Sequence, residues 1–163
     1  MYNFVVKVGL IVLKEYKHLG VYGLIIEDDK ILLIKKFGGP YDDKLDLPGG
    51  TIEFGETPEG ALKRELMEEV GIVVNEYQLI DVNSVFFDWQ FKEDVLVKVH
   101  HIGIFYKILN YQNDIKTEVE INDVNDDSLG AEFYNINDLE KDKLSELVIL
   151  ELEKLGYVLS NYS

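Results

Sequence analysis

The sequence predicts an α/β fold, with helices packed on a mixed β-sheet in one domain spanning residues 1–163. Three observations predict it. Short runs rich in β-branched and aromatic residues flank a stretch at 57–71 that carries both helix start and helix stop signals. A second stretch with helical spacing of apolar residues follows late in the chain, at 143–155. The chain has 163 residues, of which 47% are hydrophobic and 12% aromatic, enough to bury a core and unlike a disordered composition.

The apolar run at 4–13, broken by Lys7, is too short to cross a bilayer. Lys14 and Glu15 follow it where a signal peptide would carry small residues, so it reads as a buried strand, an extra one within 1–18. Runs at 21–26 and 31–36 flank the polar turn Glu27-Asp28-Asp29-Lys30, a hairpin signal. Residues 37–44, with Gly38-Gly39-Pro40, read as a loop. Residues 45–47 lead into the Gly49-Gly50 turn, and 51–53 make a short strand. Thr57 caps the central helix and Pro58 occupies its first position, where a missing N–H costs nothing. The helix runs to about Val70 and stops at Gly71.

Beyond it, 73–87 reads as one long or two short strands and 95–109 as another. The polar, acidic stretch 110–127 reads as a surface loop with an edge strand, and 131–136 as the last strand. Asn137 or Asp138 caps a short helical turn. In the final helix, Leu144, Leu147, Val148, Leu152 and Leu155 keep helical spacing, and Gly156 ends it.

Composition narrows the function. With 16 basic against 31 acidic residues the formal charge is −15, which repels polynucleotide backbones and sets long DNA or RNA aside. A mononucleotide remains open, because a metal ion can bridge its phosphates to carboxylates. The absence of cysteine excludes disulfides and thiol chemistry and fits a cytoplasmic protein.

The chemistry concentrates on the central helix. Glu65, Glu68 and Glu69 stand at i, i+3 and i+4, beside an apolar stripe of Leu62, Leu66 and Val70. Like-charged neighbours on a helix repel by roughly 0.2–0.5 kcal/mol per pair. A hard divalent cation would turn that repulsion into binding. A solvated acidic face is the plainer reading and, from these carboxylates alone, the commoner one in so acidic a chain.

The wider spacing decides between them. Gly50, five residues, Glu56, seven residues, Arg64-Glu65-Leu66, one residue, Glu68-Glu69, one residue, Gly71-Ile72 resembles the 23-residue Nudix box at every fixed position. Seven identities, each near one in fifteen by average usage, arise by chance about once in 10^8 starting points. The chain is therefore identified as resembling the MutT-like Nudix hydrolases, over residues 20–155. The resemblance implies an α/β/α sandwich on a mixed sheet. It also implies an enzyme that uses Mg2+, or Mn2+, to hydrolyse the pyrophosphate bond of a nucleoside diphosphate linked to another group. A small nucleotide is the implied substrate, with (d)NTP house-cleaning as one case. The alternative is a catalytically silent nucleotide-sensing or regulatory module; such members lose box carboxylates, and this chain keeps them all.

Carried over by position, Glu65 and Glu69 are the main metal ligands, and Glu68 is a further ligand or the base. Gly49 offers a backbone carbonyl to the metal, and Glu56 supports the loop or a further metal. Arg64 holds the catalytic carboxylates in place. It is the one arginine beside fifteen lysines, and a planar fork is what a lysine cannot replace. A further carboxylate, expected from the loop before the last strand, falls on Asp127, with Asp126 beside it, counting back from Glu132-Phe133. The markers that the family places downstream for ADP-ribose and for dinucleoside polyphosphates are absent, since Asp88 and Trp89 stand there.

Two similarities are set aside. Gly50 to Thr57 has P-loop glycine spacing, but Glu56 stands where a phosphate-binding Lys is needed. Asp123-Val124-Asn125-Asp126-Asp127 opens like a calcium loop, but Ser128 replaces its glycine and Tyr134 its closing Glu. His100 and His101 lie in a strand, one facing in and one out, and read as structural. Phe86, Phe87, Trp89 and Phe91 read as core or homodimer contacts before base-stacking ones, while Tyr41 and Phe37 would line the pocket.

Overall fold

The computed structural model describes residues 2–8, 11–117 and 128–161. Asp126 and Asp127, and the first residues of the calcium-loop look-alike, lie outside the described residues. The strands are β1 (Tyr2–Val8), β2 (Ile11–Leu24), β3 (Ile26–Glu27), β4 (Lys30–Lys36), β5 (Leu45–Asp46), β6 (Gly49–Thr51), β7 (Val73–Lys92), β8 (Val95–Gln112) and β9 (Ser128–Asn135). Helix α1 spans Pro58–Glu65 and α2 spans Glu146–Lys154. The architecture is a mixed α/β fold, as expected.

Two sheets form. In the first, β2 runs parallel to β8, β8 pairs antiparallel with β7, and β1 and β6 pair antiparallel with successive parts of β2. In the second, antiparallel sheet, β4 lies between β3 and β5 on one side and β9 on the other. The parallel β2–β8 pairing makes the fold mixed. It needs the whole intervening chain, helix included, as its crossover.

Period-two alternation divides the interior into two cores. Val21, Leu32 and Ile34 join Leu62, Leu66 and Val70 under α1. Their strand neighbours Tyr22, Ile31 and Leu33 join Leu147, Val148 and Leu152 under α2. The run Ile31-Leu32-Leu33-Ile34 is buried on both faces, which is why it reads as an unbroken apolar stretch rather than an alternating one. One helix therefore covers each side.

Several boundaries differ from the sequence reading. The run at 4–13 belongs to two antiparallel strands, and β2 begins at Ile11, ten residues before the strand expected at 21. Residues 15–18 alternate between charged and aromatic or histidine side chains, so neither face announces itself as core. The short turn Ile136–Asp138 is capped by Asn135, whose side chain accepts from the Asn137 N–H, and not by Asn137 or Asp138. Helix α2 starts at Glu146 because the Ser145 hydroxyl accepts from the Val148 N–H; Leu155 ends it half exposed. Among the described residues no helix is long and apolar enough to cross a membrane.

One buried group works against stability. Glu151 on α2 is 2% exposed, and its Oε1 has no hydrogen-bond partner among the described residues. Burial, and then the charge of Asp81, pushes its carboxyl from the ordinary 4.5 up to about 7. Between those values the unfolded chain has released a proton that the fold retains. Raising pH through that window therefore costs stability, and the loss is complete above about 7. Glu151→Gln should be more stable than the parent at pH 8 by roughly 1–3 kcal/mol, with the advantage gone near pH 4. Thermal melts across that range check it.

Candidate active site

The site grows from the junction of β6 with the end of α1. Thr57 caps α1 by accepting from the Gly60 N–H, and Pro58 opens it. The helix does not continue regularly to Val70. Its last turn, Leu66–Val70, widens into a π-turn, and Gly71 closes it at φ 80°. Such turns recur at functional sites because they re-aim side chains. Here Glu65 and Glu69 turn inward, with side chains 13% and 11% exposed, while Glu68 stays 59% exposed.

Arg64 ties these acids to the entry loop. Its Nε and Nη2 donate to the two oxygens of Glu56, each at 2.8 Å, in a bidentate fork. Its Nη1 donates to Glu65 at 2.8 Å and to Glu68 at 3.2 Å, and Nη2 also donates to the Thr51 carbonyl at 3.0 Å. Glu56 accepts a further bond from the Glu53 N–H. The guanidinium, aided by that N–H, holds the Glu56 carboxyl down to about 2. Glu65 moves the other way: burial raises its pKa despite the pull of Arg64. One arginine does not fully compensate the acids it touches.

Two glycines make the close approach feasible. Gly49 sits at φ 143°, where a Cβ would run into the Val21 carbonyl. Its N–H donates to Glu69 Oε2 at 2.8 Å. A Cβ on Gly50 would lie 2.8 Å from the Glu65 carboxylate. The bare backbone thus lets strand β6 lie directly against both acids.

Glu65 and Glu69 line a cavity of about 320 Å³. Lys36 enters it from β4, its Nζ 4.0 Å from Glu69 Oε1. The loop Phe37 to Tyr41 also lines it, as do Tyr22, His18 and His101. Of the histidine pair, His101 is buried and lines the cavity, while His100 stacks on the exposed Phe86 on the opposite face. Phe87 packs on Tyr41, and Trp89 on Phe91.

The structure thus gathers Gly49, Glu56, Arg64, Glu65, Glu68 and Glu69 at one place, with Glu56 and Glu68 on its outer side. Lys36, Tyr22 and His18 were not singled out from sequence. Lys36 is one lysine among fifteen, and Tyr22 lies in an apolar run that looks like plain core. Among the described residues no three acidic or histidine side chains converge as a ready-made metal cage. Two hard carboxylates backed by an open cavity suit a cation that arrives with phosphate oxygens and water, which is how Mg2+ is usually held. The donor set fits.

A family model for the NUDIX domain matches residues 16–151. The chain belongs to the Nudix family. An ADP-ribose pyrophosphatase of Methanocaldococcus jannaschii is 34% identical over 134 residues, 79% of this chain and 71% of that protein. An 8-oxo-dGTP diphosphatase of Escherichia coli K12 is 43% identical over 56 residues, 34% of this chain and 43% of that protein. The crystal structure of a MutT NUDIX hydrolase from Burkholderia pseudomallei superposes with a TM-score of 0.69 at 24% identity, covering 86% of this chain and 98% of that one. That likeness concerns the fold. This Nudix protein is a pyrophosphohydrolase acting on a small nucleotide, in a family that generally uses divalent metal ions.

The Arg64 fork gives a direct test of the Nudix site. Arg64→Lys keeps the charge but loses the two-oxygen grip on Glu56 and the simultaneous reach to Glu65. It should lower kcat by roughly 10–100-fold, as changes to groups that orient the side chains of a site do, with KM little altered. Steady-state kinetics of parent and variant check it.

Proposed function

We propose that this enzyme hydrolyses the pyrophosphate bond of a nucleoside diphosphate linked to another group, with Mg2+, or Mn2+ in its place, held by Glu65 and Glu69. The observation that carries the reading is the inward pair Glu65 and Glu69, fixed by Arg64 and the Gly49 N–H at the wall of a cavity that also holds Lys36. The cation, when bound, would offset phosphate charge and acidify a water molecule.

The chain's own groups do the rest. Arg64 keeps Glu65 aimed, so its position is set before substrate arrives. The Gly49 N–H does the same for Glu69. Lys36 adds a positive charge to the cavity, where the substrate's phosphates would otherwise face only acids. Glu68, outward and paired with Arg64, is the most accessible of the three helix carboxylates and suits proton transfer with solvent. Glu56 serves as the anchor for Arg64. The Gly49 carbonyl as a further ligand and Asp127 as a loop carboxylate stay part of the proposal, on the resemblance of the motif.

The substrate belongs to the nucleotide class, and ADP-ribose and 8-oxo-dGTP, after which two relatives are named, head the panel to try. The downstream proline expected for ADP-ribose is Asp88 here, which leaves the oxidised (d)NTP reading in play. Work in the cytoplasm, as one domain, stays part of the proposal; a cysteine-free chain fits a reducing compartment.

A panel of nucleoside diphosphate derivatives, incubated with Mg2+ or Mn2+ and read by mass, should show a product pair from cleavage within the pyrophosphate. Glu69→Gln should cut that turnover by roughly 10²–10⁴-fold with an unchanged circular dichroism spectrum. Full activity in the variant would remove Glu69 from the metal site.

A further inference from the structure

One face of β2 and β8 carries four directly facing pairs: Tyr16 with Val99, His18 with His101, Gly20 with Gly103, and Tyr22 with Phe105. The glycine pair leaves a gap in that ladder. A Cβ on Gly20 would meet the Tyr22 phenol, and one on Gly103 the Phe105 ring. Both rings therefore lie back along their strands and cover the glycines, as aromatic residues do for bare sheet positions. They stack at 5.8 Å.

Lying back carries the Tyr22 hydroxyl along the ladder to His101, 2.5 Å from Nε2. Tyr41, from the short helical turn Gly39–Tyr41, brings a second hydroxyl 2.9 Å from Nδ1. His101 is 4% exposed, so both ring nitrogens are engaged by phenols inside the protein. Burial, and then the neighbouring His18, Lys36 and His100, lower its pKa to about 3, so the ring is neutral at pH 7. A neutral imidazole has one N–H and one lone pair. One phenol therefore donates to it and the other accepts from it. The accepting phenol keeps its own proton to offer elsewhere.

The cavity thus has two kinds of lining. One is charged, Glu65, Glu69 and Lys36; the other is phenols, imidazole and the aromatic Phe37, with Asp46 beside them engaged by the Ser145 hydroxyl and the Leu47 N–H. An aromatic wall with a few convergent hydrogen-bonding groups suits a heterocycle, which stacks and hydrogen-bonds through its edge. A second phosphate set there would lie near the Asp46 carboxylate, a poorer neighbour for it than for a neutral base. Building on the nucleotide-hydrolase reading, we infer that the Tyr22–His101–Tyr41 wall reads the nucleobase, with Tyr41 contacting it and His101 positioning Tyr41.

A wall built to hydrogen-bond its ligand discriminates far more strongly than a merely apolar one. Binding of ADP, GDP, CDP and UDP, each with Mg2+, is measured by calorimetry beside inorganic pyrophosphate. The parent should spread the four nucleotides over at least about 10-fold in Kd, and Tyr41→Phe, which deletes one oxygen, should compress that spread to about 3-fold or less. Pyrophosphate affinity should stay the same in that variant. His101→Phe, which removes both hydrogen bonds, should compress the spread too; should it fail to fold, Tyr41→Phe decides alone. Equal affinities in the parent, a spread surviving in Tyr41→Phe, or an equal loss for pyrophosphate would each overturn the inference. If pyrophosphate does not bind the parent at all, the metal-and-phosphate reading fails by itself. Adenosine, guanosine, cytidine and uridine then repeat the comparison without phosphate, and the same outcomes decide for or against the wall.

Discussion

Everything at the site depends on one guanidinium holding carboxylates that would otherwise push apart. Arg64 touches Glu56, Glu65, Glu68 and a backbone carbonyl at once, in a chain whose formal charge is −15. A lysine offers a point charge; only the fork can satisfy two oxygens of one acid while reaching a second acid. The raised pKa of Glu65 shows that this compensation is incomplete. The acids are thus held in place without a full set of counter-charges around them.

The fold serves that arrangement by bringing a glycine strand and a helix end into contact. Strand β6 pairs with β2, and α1 packs through Leu62, Leu66 and Val70 on the core beneath it. Glu69 is then met by the Gly49 N–H, and Glu65 occupies the space that a side chain on Gly50 would fill. Glu68 and Glu69 both lie on the widened turn, where Glu69 faces in beside Glu65 and Glu68 faces out. The same region therefore supplies both an enclosed pair and a solvent-facing acid.

Much of this was legible in the sequence, and the reason is local encoding. Thr57-Pro58, the Gly71 stop and the spacing from Gly50 to Ile72 act over a few residues, so helix α1 and the grouping of Glu56, Arg64, Glu65 and Glu69 could be read directly. The two-faced burial of Ile31 to Ile34 was visible as an unbroken apolar run. What escaped reading depends on distant partners. The early start of β2 is set by pairing with β8, not by its own alternation. The π-turn leaves no mark in composition. Tyr22 looked like core because its hydroxyl's partner, His101, is 79 positions away. The loop acid assigned to Asp127 lies outside the described residues and gains nothing from the fold.

The parallel pairing of β2 with β8 has a consequence for how the chain is made. Val12 faces Val95 and Leu24 faces Lys107, each pair 83 positions apart. At about 5–20 residues per second, β2 leaves the ribosome roughly 4–17 s before its main partner. Its other neighbours arrive first: β1 is already there and β6 follows within 40 residues. These short antiparallel contacts can occupy one edge of β2 during synthesis, while the other waits for the returning hairpin. Completion of the central sheet is thus a late event, and an interruption of translation between α1 and β8 would leave an open, sticky strand edge in the cell.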